Sequence, residues 1–214
     1  MSVDCSSREG CTSAWEKDVV ADVDVCFQPL ARDRFWNLSK NWTCLSHQFV
    51  TLRNGFKFHY LSNNRPETLS ANSKKKPVVI FLHGFPDSWA IWRHILTSSE
   101  ILEGSTVIAP DLPGYGGTDS LPRYGATEVL EVLTEFIIAV RERYGVDGTQ
   151  ASQPEKQVVI VAHDWGAVLA FRLAAEAPQL ADRVIVTNGI LVWNDFLAEF
   201  SYMNLPLTDN TWLG

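Results

Sequence analysis

The stretch Ala162-His163-Asp164-Trp165-Gly166 has the spacing small–x–nucleophile–x–small. That spacing lifts one side chain out of a tight strand-to-helix turn. The lifted residue is Asp164. The turn is so tight that the residues two before and two after must be small, and the start of the following helix stabilises negative charge beside it. A carboxylate attacking an acyl carbon would give an anhydride and gain little. Attacking a saturated carbon, it gives an ordinary ester and displaces a leaving group. The leaving group must therefore sit on sp³ carbon, as an epoxide oxygen or a halide. Hydrolysis of the ester passes through a tetrahedral oxyanion at the Asp164 carbonyl, which needs hydrogen-bond donors. The backbone N–H of Trp165 is one. Phe85, in His83-Gly84-Phe85-Pro86, is placed to offer the other.

These motifs need elements that hold them. Pro77–Leu82, Thr106–Pro110, Val158–Ala162 and Arg183–Thr187 are short apolar runs, the pattern of strands buried on both faces of a parallel sheet. Each of the first three ends at a polar motif: His83–Ser88, Asp111–Asp119 and His163–Gly166. Asp87 or Ser88 caps a helix that starts near Trp89 and carries Trp89, Ile91, Trp92 and Ile95 inward. Residues 126–144 form an amphipathic helix, with Val129, Leu130, Leu133, Phe136, Ile137 and Val140 at helical spacing. An apolar helix runs from Ala167 to Ala177 and stops at Pro178. Gln48–Leu52 and Phe56–Leu61 flank Asn54-Gly55, a hairpin signal. Alternating strands and helices predict an α/β doubly wound sheet with helices on both faces and the hairpin at one edge. In such a sheet ligands bind at the carboxyl ends of the strands, where the three motifs lie.

The 214 residues carry 18 Lys+Arg against 25 Asp+Glu, a net charge of −7, with 46% hydrophobic residues. That suffices for a core and excludes a disordered chain. An acidic chain without a basic block has no electrostatic footprint for nucleic acid. No apolar run is long enough to span a bilayer, and the first 30 residues hold no apolar leader segment. The cysteines Cys5, Cys11, Cys26 and Cys44 show no metal spacing and are expected as reduced thiols of a cytoplasmic protein. Asn37-Leu38-Ser39 and Asn41-Trp42-Thr43 match a glycosylation pattern that carries no weight in that compartment. Residues 62–76, with three lysines, are expected as a solvated loop. No metal and no cofactor is expected.

The sequence resembles the epoxide hydrolases of the α/β-hydrolase fold. The resemblance covers about residues 48–200 and rests on HGFPDSW (83–89), DLPGYGGTD (111–119) and VAHDWGA (161–167), in order. It implies Asp164 as nucleophile, with Phe85 and Trp165 as oxyanion donors. It also implies a cis Phe85–Pro86 bond. Gly84, Pro86 and Gly166 shape the site, and His83 is a support residue whose ring bonds neighbouring backbone. The substrate would be a small apolar epoxide, opened to a diol. Ala162 departs from the usual glycine and tightens the elbow. His163 is expected to point away from the nucleophile in a structural role. Asp111 is expected to stabilise its turn, the glycines 114, 116 and 117 to permit it, and Trp89 and Trp92 to form core or pocket wall.

Haloalkane dehalogenases resemble the chain equally at Asp164-Trp165, but they place Asn after His-Gly, where this chain has Phe85. A fluoroacetate-type enzyme would have Arg in place of Trp165, and Asp164 itself disfavours a serine esterase. An alternative of a different class is a non-catalytic truncated homologue that only binds. The resemblance implies a late histidine base, whereas the five histidines end at His163. It also implies a cap with two tyrosines, and beyond the elbow only Tyr202 occurs. The expected organisation is an N-terminal extension (1–45), the front half of an incomplete α/β-hydrolase core (46–192) and a truncated cap start (193–214). Such a chain is expected to be catalytically incompetent. It is also expected to self-associate through an open sheet edge.

Overall fold

The computed structural model describes residues 44–69, 76–146 and 156–189. The bulk of the N-terminal extension, the loop residues 70–75 and 147–155, the cap start with Tyr202, both glycosylation patterns and Cys5, Cys11 and Cys26 lie outside the described residues.

Six strands form one sheet in the order β1-β2-β4-β3-β5-β6. They are β1 (Ser46–Thr51), β2 (Lys57–Ser62), β3 (Val78–Leu82), β4 (Thr106–Pro110), β5 (Val158–His163) and β6 (Arg183–Thr187). β1 and β2 form the expected antiparallel hairpin, and β2 runs antiparallel to β4. The other pairings, β3 with β4, β3 with β5 and β5 with β6, are parallel. The β3–β5 register sets Leu82 opposite Ala162.

Two apolar cores lie on opposite faces. On one, α3 (Ala126–Tyr144) and α4 (Trp165–Glu176) pack on the sheet. Leu133, Phe136, Ile137, Val140, Ala167 and Leu173 meet Phe58, Tyr60, Ile80, Leu82, Ile108 and Ile160 there. The stripe of α3 that faces inward is the one its 3.6-residue spacing predicts. Phe136 stacks on Phe58 at 4.5 Å between ring centroids and meets Tyr60 edge-on at 5.8 Å. On the other face Trp89, Trp92 and Leu96 pack against Leu61, Phe81, Val107 and Ala109. Helices α1 (Arg93–Leu96) and α2 (Ser99–Gly104) belong to that side.

The structure corrects three expectations. Ile95 is 42% exposed, not inward. The segment starts as a 3₁₀ turn over Trp89–Trp92, whose tighter winding sends residues 89, 92 and 96 inward in place of an α-helical stripe. β6 is not buried on both faces: Arg183, Ile185 and Thr187 are exposed while Val184 and Val186 are half-buried. It pairs only with β5 among the described residues, and α4 covers one face. Cys44 is disulfide-bonded, not reduced. Disulfides persist in oxidising surroundings, so the thiol basis for a cytoplasmic location falls away. Among the described residues no helix is long and apolar enough to cross a membrane, and no group of side chains could hold a metal ion.

Candidate active site

β5 ends at His163, and α4 begins at Trp165. Asp164 between them has φ 54° and ψ −124°. A non-glycine residue there is strained by of order 1–3 kcal/mol, a conformation that persists only where its surroundings enforce it. Here the Asp164 N–H donates to Thr187 O of β6 at 3.4 Å, and the Asp164 carbonyl accepts from Ala167 N–H at 2.9 Å. Gly166 lies against the backbone carbonyls of Leu82 and His83, and a Cβ added there would collide with both. The small residue after the nucleophile position is thus required by the approach of β3.

The loop after β3 supplies the partner. Phe85 N–H donates to Asp164 Oδ1 at 2.8 Å. Gly84 leaves no room for a side chain, because its Cβ would fall on the Asp164 carboxylate. The Phe85–Pro86 peptide is cis. Burial pushes the Asp164 carboxyl up, but hydrogen bonds from the Phe85 and Trp165 N–H groups and the His163 charge outweigh it. The net result lies below the usual carboxylate value. Asp164 is therefore an ionised carboxylate held by two backbone donors. The side chains of Phe85 and Trp165 are 66% and 58% exposed, leaving two apolar surfaces beside it.

His83 is fully buried. Its Nδ1 bonds Gly84 O at 2.8 Å, and its Nε2 accepts from Leu112 N–H at 2.8 Å. Since Nε2 accepts and Nδ1 faces a carbonyl, the ring is neutral with its proton on Nδ1. Burial lowers its pKa, against the raising influence of Asp111. Both nitrogens are committed, so the ring has none free for proton transfer. His163 turns to the opposite face, edge-on to Trp92 at 6.4 Å; its Nδ1 is buried without a hydrogen-bond partner.

The structure brings together Asp164, Phe85, Trp165, Gly84, Pro86, His83 and Gly166, and it places His163 behind them. Two neighbours escaped the sequence. Tyr115, in the turn after β4, packs edge-on to His83 at 5.2 Å. Its phenol pKa is raised, first by burial and then by the charges of Tyr124 and Asp164. His59 of β2 is fully buried against Asp111. The β2 side chains from Phe58 to Ser62 are buried on both faces, so no alternation marked His59 as special. What the site can do is present an ionised carboxylate to an electrophile and receive an oxyanion on the same two N–H groups.

Residues 77–212 match the protein family described as alpha/beta hydrolase fold. Epoxide hydrolase 4 of Mus musculus is 31% identical over 144 residues, covering 67% of this chain and 34% of that protein. Epoxide hydrolase 3 of Siraitia grosvenorii is 40% identical over 96 residues, 44% of this chain and 27% of that one. A crystal structure of an epoxide hydrolase from Vigna radiata superposes with a TM-score of 0.51 at 29% identity, covering 67% of this chain and 38% of that chain. The chain thus spans about a third of the length of the curated relatives it matches, 34% for the mouse protein.

Proposed function

The chain belongs to the α/β hydrolase fold family, and from that premise we propose that it carries the nucleophilic half of an epoxide hydrolase. The observation that carries this is Asp164, lifted at positive φ and held ionised against the Phe85 N–H at 2.8 Å. The likeness to epoxide hydrolases over two thirds of the chain supports it.

In the first step Asp164 attacks an oxirane carbon. A new C–O ester bond forms, the ring C–O bond breaks, and the departing oxygen takes up a proton from solvent water to become a hydroxyl. In the second, water adds to the Asp164 carbonyl and the negative charge moves to the oxygen facing Phe85 and Trp165. Collapse releases the diol and restores the carboxylate. That second step needs a base to take a proton from water. The histidines of these 214 residues are engaged elsewhere. His83 is held by backbone, His47 and His59 bond each other, His163 faces Trp92, and His94 is exposed on α1. The chain by itself is therefore proposed to stop at the ester.

Incubation with styrene oxide followed by intact-mass measurement tests this. One adduct per chain is expected, none in Asp164→Ala, and steady diol production by the 214-residue chain would overturn the proposed stop. Phe85 disfavours the dehalogenase alternative, since its side chain offers a departing halide no N–H. Halide release from bromoalkanes without epoxide alkylation would reverse that preference.

A further inference from the structure

The loop that carries the Phe85 N–H is tied at both ends to two consecutive residues of another loop. At its start, His83 links Gly84 O to the Leu112 N–H. At its far end, the Trp89 N–H donates to Asp111 Oδ1 at 3.1 Å. Asp111 is fully buried. Its Oδ2 accepts from Gly117 N–H at 3.1 Å and from His59 Nδ1 at 2.7 Å. His59 Nε2 in turn meets His47 Nδ1 of β1 at 2.7 Å. A buried carboxylate keeps its charge only if its acceptor sites are filled. Among the side chains bonded to Asp111, the donor is His59. Despite burial the Asp111 pKa lies below the ordinary value, because the His59 bond and charge and the Trp89 N–H outweigh desolvation.

We infer that His59 and Asp111 are positioning residues for the oxyanion donor: the hairpin histidine orients Asp111, and Asp111, with its neighbour Leu112, clamps the 83–89 loop so that Phe85 N–H stays on Asp164. None of the hydrogen bonds of Asp111 reaches Asp164 itself. The inference rests on the proposed role of Asp164, but the placement of Phe85 is measurable without any reaction.

Two amide substitutions separate this role from simple packing. In His59→Asn the side-chain amide falls near the position of the histidine Nδ1 and still reaches Asp111. In His59→Gln it falls near that of Nε2 and does not. In unreacted protein the Phe85 amide proton, low-field from its bond to the carboxylate, is expected to keep its shift in His59→Asn and to move to high field in His59→Gln. With styrene oxide, His59→Gln is expected to lose about tenfold or more in alkylation rate at saturating epoxide, as a displaced donor would cause, while His59→Asn stays within about threefold. The acid limb of the pH profile should also move upward in His59→Gln, since Asp164 loses one donor. The groups that act electrostatically with Asp164, His163 from behind and Tyr115, are the same in both variants. Equal behaviour of the two variants, or a Phe85 amide unmoved in His59→Gln, would overturn the inference. Should His59→Gln not fold, the isosteric Asp111→Asn replaces one of the two acceptor oxygens by an NH2 that must oppose either the Trp89 N–H or the His59 and Gly117 donors, and it must move the same resonance. Absence of alkylation in the wild-type chain would instead sink the role of Asp164 and leave the amide shifts to decide the clamp.

Discussion

At the scale of the residue, the site is a contest between burial and hydrogen bonding at one carboxylate. Asp164 keeps its charge because two backbone donors and His163 outweigh desolvation. Alkylation by an epoxide should therefore fall on acidification with its midpoint below the ordinary carboxylate value of 3.8. A midpoint above that value in a mass-monitored pH series would contradict this assignment of causes. Gly84→Ala drives a Cβ into the carboxylate and should reduce alkylation by about a hundredfold, with the far-ultraviolet dichroism unchanged. The turn that lifts Asp164 beside Trp165 was legible in the sequence because a tight elbow permits few residue types, and the meeting of Phe85 N–H with Asp164 was legible from the motif that follows β3. Tyr115 and His59 were not, because their roles arise from contacts across 32 and 52 residues of chain, His83 to Tyr115 and His59 to Asp111.

At the scale of the element, α3 was legible throughout, since a 19-residue helix repeats its apolar signal over several turns. Phe136 is the centre of its buried stripe, against Phe58 and Tyr60. Phe136→Ala should cost about 3–5 kcal/mol, measured as a shift of the urea midpoint at constant slope. Short elements were harder. The four-residue turn at Trp89–Trp92 is too brief to show its winding in its spacing, which is why Ile95 emerges outward. Arg183–Thr187 looks like any buried strand by composition, because burial is conferred by what lies on each face and not by the strand itself.

At the scale of the whole molecule, two buried groups tie stability to pH with the same sign. His83 is held neutral, with its folded pKa below the ordinary 6.5. Below that pH the unfolded chain binds the extra proton, so stability falls as the solution is acidified. Asp111, with a lowered folded pKa, stabilises the fold above the ordinary 3.8 and loses that contribution at still lower pH. The unfolding free energy from urea titrations should therefore drop between pH 7.5 and 5.5, by at most about 1.4 kcal/mol per pH unit for one proton. His83→Gln should flatten that slope; an equal slope in the variant would place the titration elsewhere. The β3–β5 rung of Leu82 and Ala162 has a consequence for how the gene can vary. Gly84 and Asp164 each stand two residues beyond that rung, so their meeting depends on equal counting along two distant stretches of chain. Inserting or deleting one codon within either stretch moves one partner by about 3.3 Å and reverses the face of every residue on that strand. The same change in the turn at residues 53–55, outside this register, leaves the count intact. Length variation among natural homologues should accordingly be absent from residues 78–85 and 158–164 and collect in the hairpin turn.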